Sequence, residues 1–169
     1  MAACLRRPRF ILAALASALS LACAPALSAE QVRKVIDGDT IRLTDGRLVR
    51  YIGIDTPELR RKVNGHWIEA PEPFGQEAKR ANERLVLGKV VRLEYDVQQL
   101  DRYGRVLAYV YVPTESGELM VNAELLRQGF AQPLTIPPDV KHAEAFRALV
   151  AEARAAQRGL WRAPAAEGR

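Results

Sequence analysis

Val35-Ile36-Asp37-Gly38-Asp39-Thr40, followed by Arg50-Tyr51-Ile52-Gly53-Ile54-Asp55-Thr56-Pro57-Glu58, is the stretch whose reading decides the fold. Asp-Gly-Asp reads as a tight turn, because glycine tolerates positive φ and aspartate bonds its own backbone. Thr40-Ile41-Arg42-Leu43 reads as a strand. A period of two puts Asp39, Ile41 and Leu43 on one face, and Thr40 and Arg42 on the other. The same count puts Arg50, Ile52 and Ile54 together on the next strand. Asp39 and Arg50 are thus opposite charges expected on apolar faces, where each is costly unless a counter-charge meets it. Asp55 ends the strand, and Pro57 stops the ladder and biases Thr56 toward an extended conformation.

Working outward, Val32–Ile36, Thr40–Leu43 and Arg47–Ile54 read as three strands, with Thr44-Asp45-Gly46 as the hairpin turn between the last two. Residues 60–74 carry Arg60, Arg61, Lys62, Gly65, Pro71 and Pro73 without a sustained period, and read as a long loop. Gln76–Leu87 reads as a helix with Phe74, Ala78, Ala81 and Leu85 on one stripe and Gly88 as its stop. Val90–Tyr95 and Val106–Val112 are the fourth and fifth strands, and Val121–Gln128 is a second helix ended by Gly129. Ala143–Gln157 is a third helix, with Phe146, Leu149, Val150 and Ala153 on its stripe and Trp161 expected as a core plug. Three strands, a helix, two strands and two helices fit a five-stranded OB barrel in the α+β class. The strand count alone also allows a small sandwich.

The N-terminus has a different character. Arg6, Arg7 and Arg9 precede an apolar run from Phe10 to Cys23, and Ala26-Leu27-Ser28 has the small-x-small form of a cleavage site. Residues 1–28 are expected to be a signal peptide, 29–162 the folded domain and 163–169 a disordered tail. Export to the periplasm or medium follows from that reading. Lipid attachment through Cys23 ranks below it. The leader carries three of the 25 basic residues and no acid, leaving 22 basic against 20 acidic. The overall charge of +5 is therefore a poor argument for any polyanionic partner, and the placement of charge matters more. Both cysteines, Cys4 and Cys23, lie in the leader, so the remaining chain offers no disulfide or thiol chemistry. No later apolar run is long enough to span a bilayer.

The charged set has a chemistry of its own. Asp39 and Asp55, at strand ends, suit a hard cation with oxygen ligands, Ca²⁺ or Mg²⁺. No thiolate or clustered imidazole is available for zinc, since His66 and His142 stand far apart in sequence with no motif around either. Arginines suit phosphate, because a guanidinium grips two oxygens at once. Glu58 is left to take a proton from water or to orient it. Tyr103 suits stacking on a base or capping the barrel equally. Arg102 suits a neighbouring phosphate or solvent. Taken singly, Asp37 and Asp45 read as plain turn residues.

Asp37-Gly38-Asp39-Thr40, Asp55-Thr56-Pro57-Glu58 and Asp101-Arg102-Tyr103-Gly104-Arg105 resemble, in order and spacing, the micrococcal nuclease (thermonuclease) family. The likeness runs from about Val32 to Trp161. It favours the OB barrel with three helices over the sandwich. It implies Ca²⁺ held by Asp39, Asp55 and the Thr56 carbonyl, Glu58 as the base or water-orienting group, and Arg50 and Arg105 on the scissile phosphate. It implies cleavage of DNA and RNA to leave 3′-phosphate ends, by a monomer with no stable protein partner, with Arg102 and Tyr103 along the substrate. The alternative is a non-catalytic nucleic-acid-binding OB module of the cell envelope. One stretch departs from the family: Phe130–Pro138 has no tyrosine where the family's loop packs tyrosines on the nucleotide, so weaker ground-state binding and a raised KM are expected, the alternative being that Phe130 or Trp67 swings in to supply the ring.

Overall fold

The structure, a computed structural model, describes residues 30–162. The expected leader, its cleavage site and the expected tail at 163–169 lie outside the described residues. Alternation of β-branched and polar residues builds β1 (Glu30–Val35), β2 (Thr40–Leu43) and β3 (Leu48–Tyr51) as an antiparallel meander. On β1, Val32 and Val35 are buried while Gln31, Arg33 and Lys34 face solvent.

The third strand is shorter than its sequence suggests. It ends at Tyr51, and Gly53 at φ +80° turns the chain away. Ile54–Asp55 then forms the two-residue β4, which pairs with β10 (Gln132–Pro133) rather than with β2. Val49 and Tyr51 are the core residues of β3, so Arg50 points to the opposite face and does not share the apolar face of Ile52 and Ile54. The expected face assignment of Arg50 is thereby corrected. The break at Gly53 resets the period.

Residues 60–69 are not a loop. They form a hairpin of β5 (Arg60–Val63) and β6 (His66–Glu69), turned by Asn64 and Gly65, both at positive φ. Asn-Gly at such a position is the preferred chemistry of a two-residue hairpin turn. The hairpin root is fixed where Ala70 donates to the Leu59 carbonyl, and Glu72 to that of Glu58.

Helix α1 (Gly75–Val86) buries Ala78, Ala81, Asn82 and Val86, one position off the expected stripe at its end. It leads into β7 (Val90–Glu94) and β8 (Val106–Thr114), and β8 turns back through β9 (Gly117–Met120), a strand the sequence reading left out. The order β3-β2-β1-β7-β8 closes when β3 pairs in parallel with β8, Val49 against Val106 and Arg50 against Leu107. The result is a five-stranded OB barrel with α1, α2 (Val121–Arg127) and α3 (Ala143–Ala155) packed around it. Phe146, Val150 and Ala153 of α3 are buried, with Leu149 packed beside them. Trp161 is half-buried against the core under the Arg154 guanidinium, 4.2 Å from its ring centroid. Among the described residues no helix is long and apolar enough to cross a membrane.

Candidate active site

Barrel closure sets the site. The parallel β3–β8 pairing places Arg50 beside the start of β8, where Arg105 enters the strand. The β2–β3 pairing sets Thr40 opposite Arg50, and the Asp39 carbonyl accepts the Tyr51 N–H at 2.9 Å. Asp39 therefore sits at the mouth of the hairpin and is only 4% exposed.

Buried carboxylates need donors. Asp39 has four. Its Oδ2 accepts the Thr56 N–H at 2.9 Å and the Thr56 hydroxyl at 3.1 Å. Its Oδ1 accepts the Thr40 hydroxyl at 3.2 Å and is ion-paired with Arg50 Nη1. The other end of the same guanidinium, Nη2, lies 2.6 Å from Asp55 Oδ1. One arginine thus bridges the two aspartates. Asp55 has a side chain 53% exposed, so it opens the cluster to solvent.

The turn between β1 and β2 works by close approach. Gly38 does not adopt positive φ, contrary to the sequence expectation for Asp-Gly-Asp. Instead, a Cβ at Gly38 would sit 2.6 Å from Thr56 Oγ1 and 2.8 Å from its Cγ2. Thr56 is itself fixed by its two bonds to Asp39, so it has little freedom to yield. Gly38→Ala is expected to cost about 1–3 kcal/mol of stability, as overpacking does, and to break the Thr56–Asp39 contact. Urea unfolding compared with the parent measures the first. Parent-like stability together with parent-like activity would remove this role for Gly38.

Asp37 is more than the turn residue expected of it. Its Oδ1 accepts the Asp39 N–H at 3.1 Å, the Asx-turn bond. Its backbone carbonyl is held by Asn82 Nδ2 at 3.2 Å, while Asn82 Oδ1 accepts the Tyr51 hydroxyl at 2.9 Å. Burial pushes its carboxyl above the usual aspartate range, against the pull of Arg50 and its bonds with Thr40. Asn82 was the available signal, a polar residue on the buried stripe of α1.

Glu58 follows β4 on an exposed turn, and its N–H donates to Glu72 at 3.1 Å. Burial of its carboxyl, and then the negative charge of Asp37, raise its pKa, with Arg50 opposing. Gly75 backs this turn: a Cβ there would lie 3.1 Å from the Glu58 and Pro57 carbonyl oxygens.

Arg105 is aimed by Asp101. Nε lies 2.7 Å from Asp101 Oδ2, and Asp101 Oδ1 accepts the N–H groups of Tyr103 and Arg105 at 2.8 and 2.9 Å. The Asp101 carboxyl is held below its usual range: burial would raise it, but these bonds from Arg105 and Tyr103 outweigh that. This positioning role of Asp101 is not legible from its place in the motif, because it depends on the turn that brings Arg105 back to it. Tyr103 is 69% exposed, so it does not cap the barrel. Arg102 lies 4.8 Å from its ring centroid and donates to its hydroxyl at 2.6 Å, making an exposed pair at the tip of the turn.

A cavity of about 280 Å³ opens between these pieces, lined by Arg50, Gly53, Arg105, Leu134, Ile136 and Asp139. Leu134 and Ile136 come from the loop without tyrosine and wall the cavity with aliphatic carbon. Phe130 is half-buried and packs against the core. The side chain of Trp67 lies outside the described residues.

Among the described residues, no three His, Cys, Asp or Glu side chains gather as a metal-binding set. Asp39 and Asp55 with the Thr56 carbonyl are a sparser set of hard oxygens. That carbonyl accepts no hydrogen bond from the described residues, although Thr56 is buried. A carbonyl without a partner among the described residues, next in sequence to Asp55 and on a residue bonded to Asp39, fits a cation that completes its shell with water.

A model of the staphylococcal nuclease homologue family matches residues 48–163. The match takes in Arg50, Asp55, Glu58 and Arg105 but begins after Asp39, whose place rests on its bonds to Arg50 and Thr56. The chain is 37% identical over 134 residues to the thermonuclease of Staphylococcus hyicus, covering 78% of this chain and 74% of that protein. It is 37% identical over 133 residues to the thermonuclease of Staphylococcus intermedius, covering 77% and 74%. It is 35% identical over 133 residues to the endonuclease YncB of Bacillus subtilis, covering 76% of this chain and 59% of that protein.

Proposed function

The chain belongs to the staphylococcal nuclease homologue family, and from that premise we propose that it is a Ca²⁺-dependent nuclease hydrolysing DNA and RNA to leave 3′-phosphate ends. The observation that carries this reading is the Arg50 bridge between Asp39 and Asp55, with Arg105 and Glu58 beside it. A phosphodiester resists attack because it is already an anion, so the site must neutralise charge and place water in line. Arg50 and Arg105 bring two guanidinium groups to one phosphate, and Asp101 fixes the direction of the second. Asp39, Asp55 and the Thr56 carbonyl would hold Ca²⁺, which would supply further positive charge at the phosphate. A cation between the two aspartates would take over the counter-charge that Arg50 gives them, freeing its guanidinium for the phosphate. Glu58 takes the proton of the attacking water, and its raised pKa brings it closer to that task. Tyr103 and Arg102 lie along the substrate beyond the reacting phosphate.

A binding module without chemistry needs neither the paired aspartates nor a carboxyl poised as Glu58 is. The chain acts as a monomer after export, with the leader removed near Ser28. End-group analysis of a digested oligodeoxynucleotide and an oligoribonucleotide tests the product assignment. The 5′-hydroxyl ends are expected to be labelled directly by polynucleotide kinase, and the 3′ ends to be extended by terminal transferase only after a 3′-phosphatase step. Products with 3′-hydroxyl and 5′-phosphate ends would reverse the assignment of the cleaved bond.

A further inference from the structure

A second cavity, of about 420 Å³, shares Arg105 with the first and adds Asp37, Glu58, Arg42, Leu48, Leu59 and Arg60. It lies on the Glu58 side of the site. Two of its arginines lack counter-charges. Arg42, on the outer face of β2 beside Leu48, donates only to the Gly46 carbonyl at 3.3 Å and makes no ion pair among the described residues. Arg60, at the first position of β5, is exposed and makes no ion pair among the described residues, although Glu69 stands opposite it in register. Its position is set by the hairpin root, where Leu59 is buried and its carbonyl accepts the Ala70 N–H at 3.0 Å. Arg105 of the same cavity, by contrast, meets Asp101.

Arg42, Arg60 and Arg105 outnumber the two carboxylates of this concave surface, Asp37 and Glu58, which favours an anion. Leu48 and Leu59 give the same surface an apolar part, which a lone phosphate does not use and a nucleotide does. The cavity is continuous with Glu58 and Arg105, so a chain held at the reacting phosphate runs directly into it.

We infer that this cavity is a second nucleotide subsite, in which Arg42 and Arg60 bind the backbone phosphate next to the scissile one and Leu48 and Leu59 receive the sugar or base between them. The inference rests on the nuclease reading of the site and adds a direction to it. The polynucleotide crosses Arg105, with one nucleotide toward Leu134 and Ile136 and the neighbouring one toward the β5–β6 hairpin. Long substrates then gain contacts that a single nucleotide cannot make.

The test compares the parent with Arg42→Gln/Arg60→Gln and, as a charge control, with Arg84→Gln in the exposed last turn of α1. Binding of fluorescein-labelled dodecathymidylate is measured by anisotropy in EGTA across a salt series. Each phosphate contacted on a single strand contributes about 0.7 to the slope of log K against log salt, so the double variant, which gives up one phosphate, is expected to lose about 0.7 and the control much less. In Ca²⁺, kcat/KM for the dodecamer is expected to fall at least tenfold more than for thymidine 5′-(p-nitrophenyl) phosphate, with most of the loss in KM. Equal salt slopes for parent and double variant, or an equal fall on both substrates, would overturn the subsite. A parent that cleaves neither substrate would overturn the nuclease reading. The salt slopes would still decide the subsite.

Discussion

Arg50→Ala is expected to lower kcat by two to three orders of magnitude, the effect of removing one donor to the developing charge. The same change strips the counter-charge from Asp39, which is 4% exposed, and from Asp55. Breaking a buried pair on one side costs up to about 3–5 kcal/mol, and less here because Asp55 is half in water. The fold of the variant should therefore be weaker than the parent in chelator. A divalent cation between the two aspartates replaces the missing charge, so Ca²⁺ should restore much of the lost stability without restoring turnover. Thermal unfolding with and without Ca²⁺, beside steady-state rates, separates the two effects. A variant within tenfold of the parent in kcat would remove Arg50 from the reacting phosphate.

Glu58→Gln is expected to cut kcat by a factor of about 10²–10⁴, the range for losing a positioned base. The amide keeps the size of the carboxylate, and Glu58 is not among the proposed Ca²⁺ ligands, so KM and Ca²⁺ affinity should stay within a few-fold of the parent. Stability should move the other way. The Glu58 carboxyl is raised above its ordinary value by burial and by Asp37. A carboxyl whose folded pKa exceeds its unfolded one opposes folding once pH rises above the unfolded value. At neutral pH the amide removes that opposition, so Glu58→Gln should melt no lower than the parent in chelator. Loss of turnover with intact folding assigns Glu58 to the chemistry. Parent-like turnover would sink the base assignment.

The barrel strands and helices were legible because each carries its own period and its own stop. Gly88 and Gly129, both at positive φ, lie just past the first two helices as read. The β5–β6 hairpin was missed although Asn64-Gly65 is a strong hairpin signal. Prolines at 71 and 73 and the run Arg60-Arg61-Lys62 drew attention to a loop instead. Reading Arg47–Ile54 as one strand overlooked Gly53, whose positive φ lets Asp55 leave β3 and pair with Gln132. That break is what carries Asp55 to Arg50.

Within the site, Asp39, Asp55, Glu58 and Arg105 could be picked out because three short motifs hold them in order, and Arg50 because it is a charge within the apolar strand that leads to Asp55. The structure brings these five together. The burial of Asp37 could not be read in the same way, because it depends on Asn82 arriving from α1. The close approach of Gly38 to Thr56 was equally invisible, since it joins residues on two sides of a hairpin. Long-range packing of this kind has no period to announce it.

The central claim is that Asp39, Asp55 and the Thr56 carbonyl hold a Ca²⁺ ion that cleavage requires. The most direct measurement is the cleavage rate of single-stranded DNA by the purified mature chain, in Ca²⁺ and then in EGTA with metal removal verified by elemental analysis. The account predicts rapid cleavage in Ca²⁺, none detectable in EGTA, and recovery when Ca²⁺ is restored to the parent but not to an Asp39→Ala variant. Undiminished cleavage in verified metal-free buffer would contradict it.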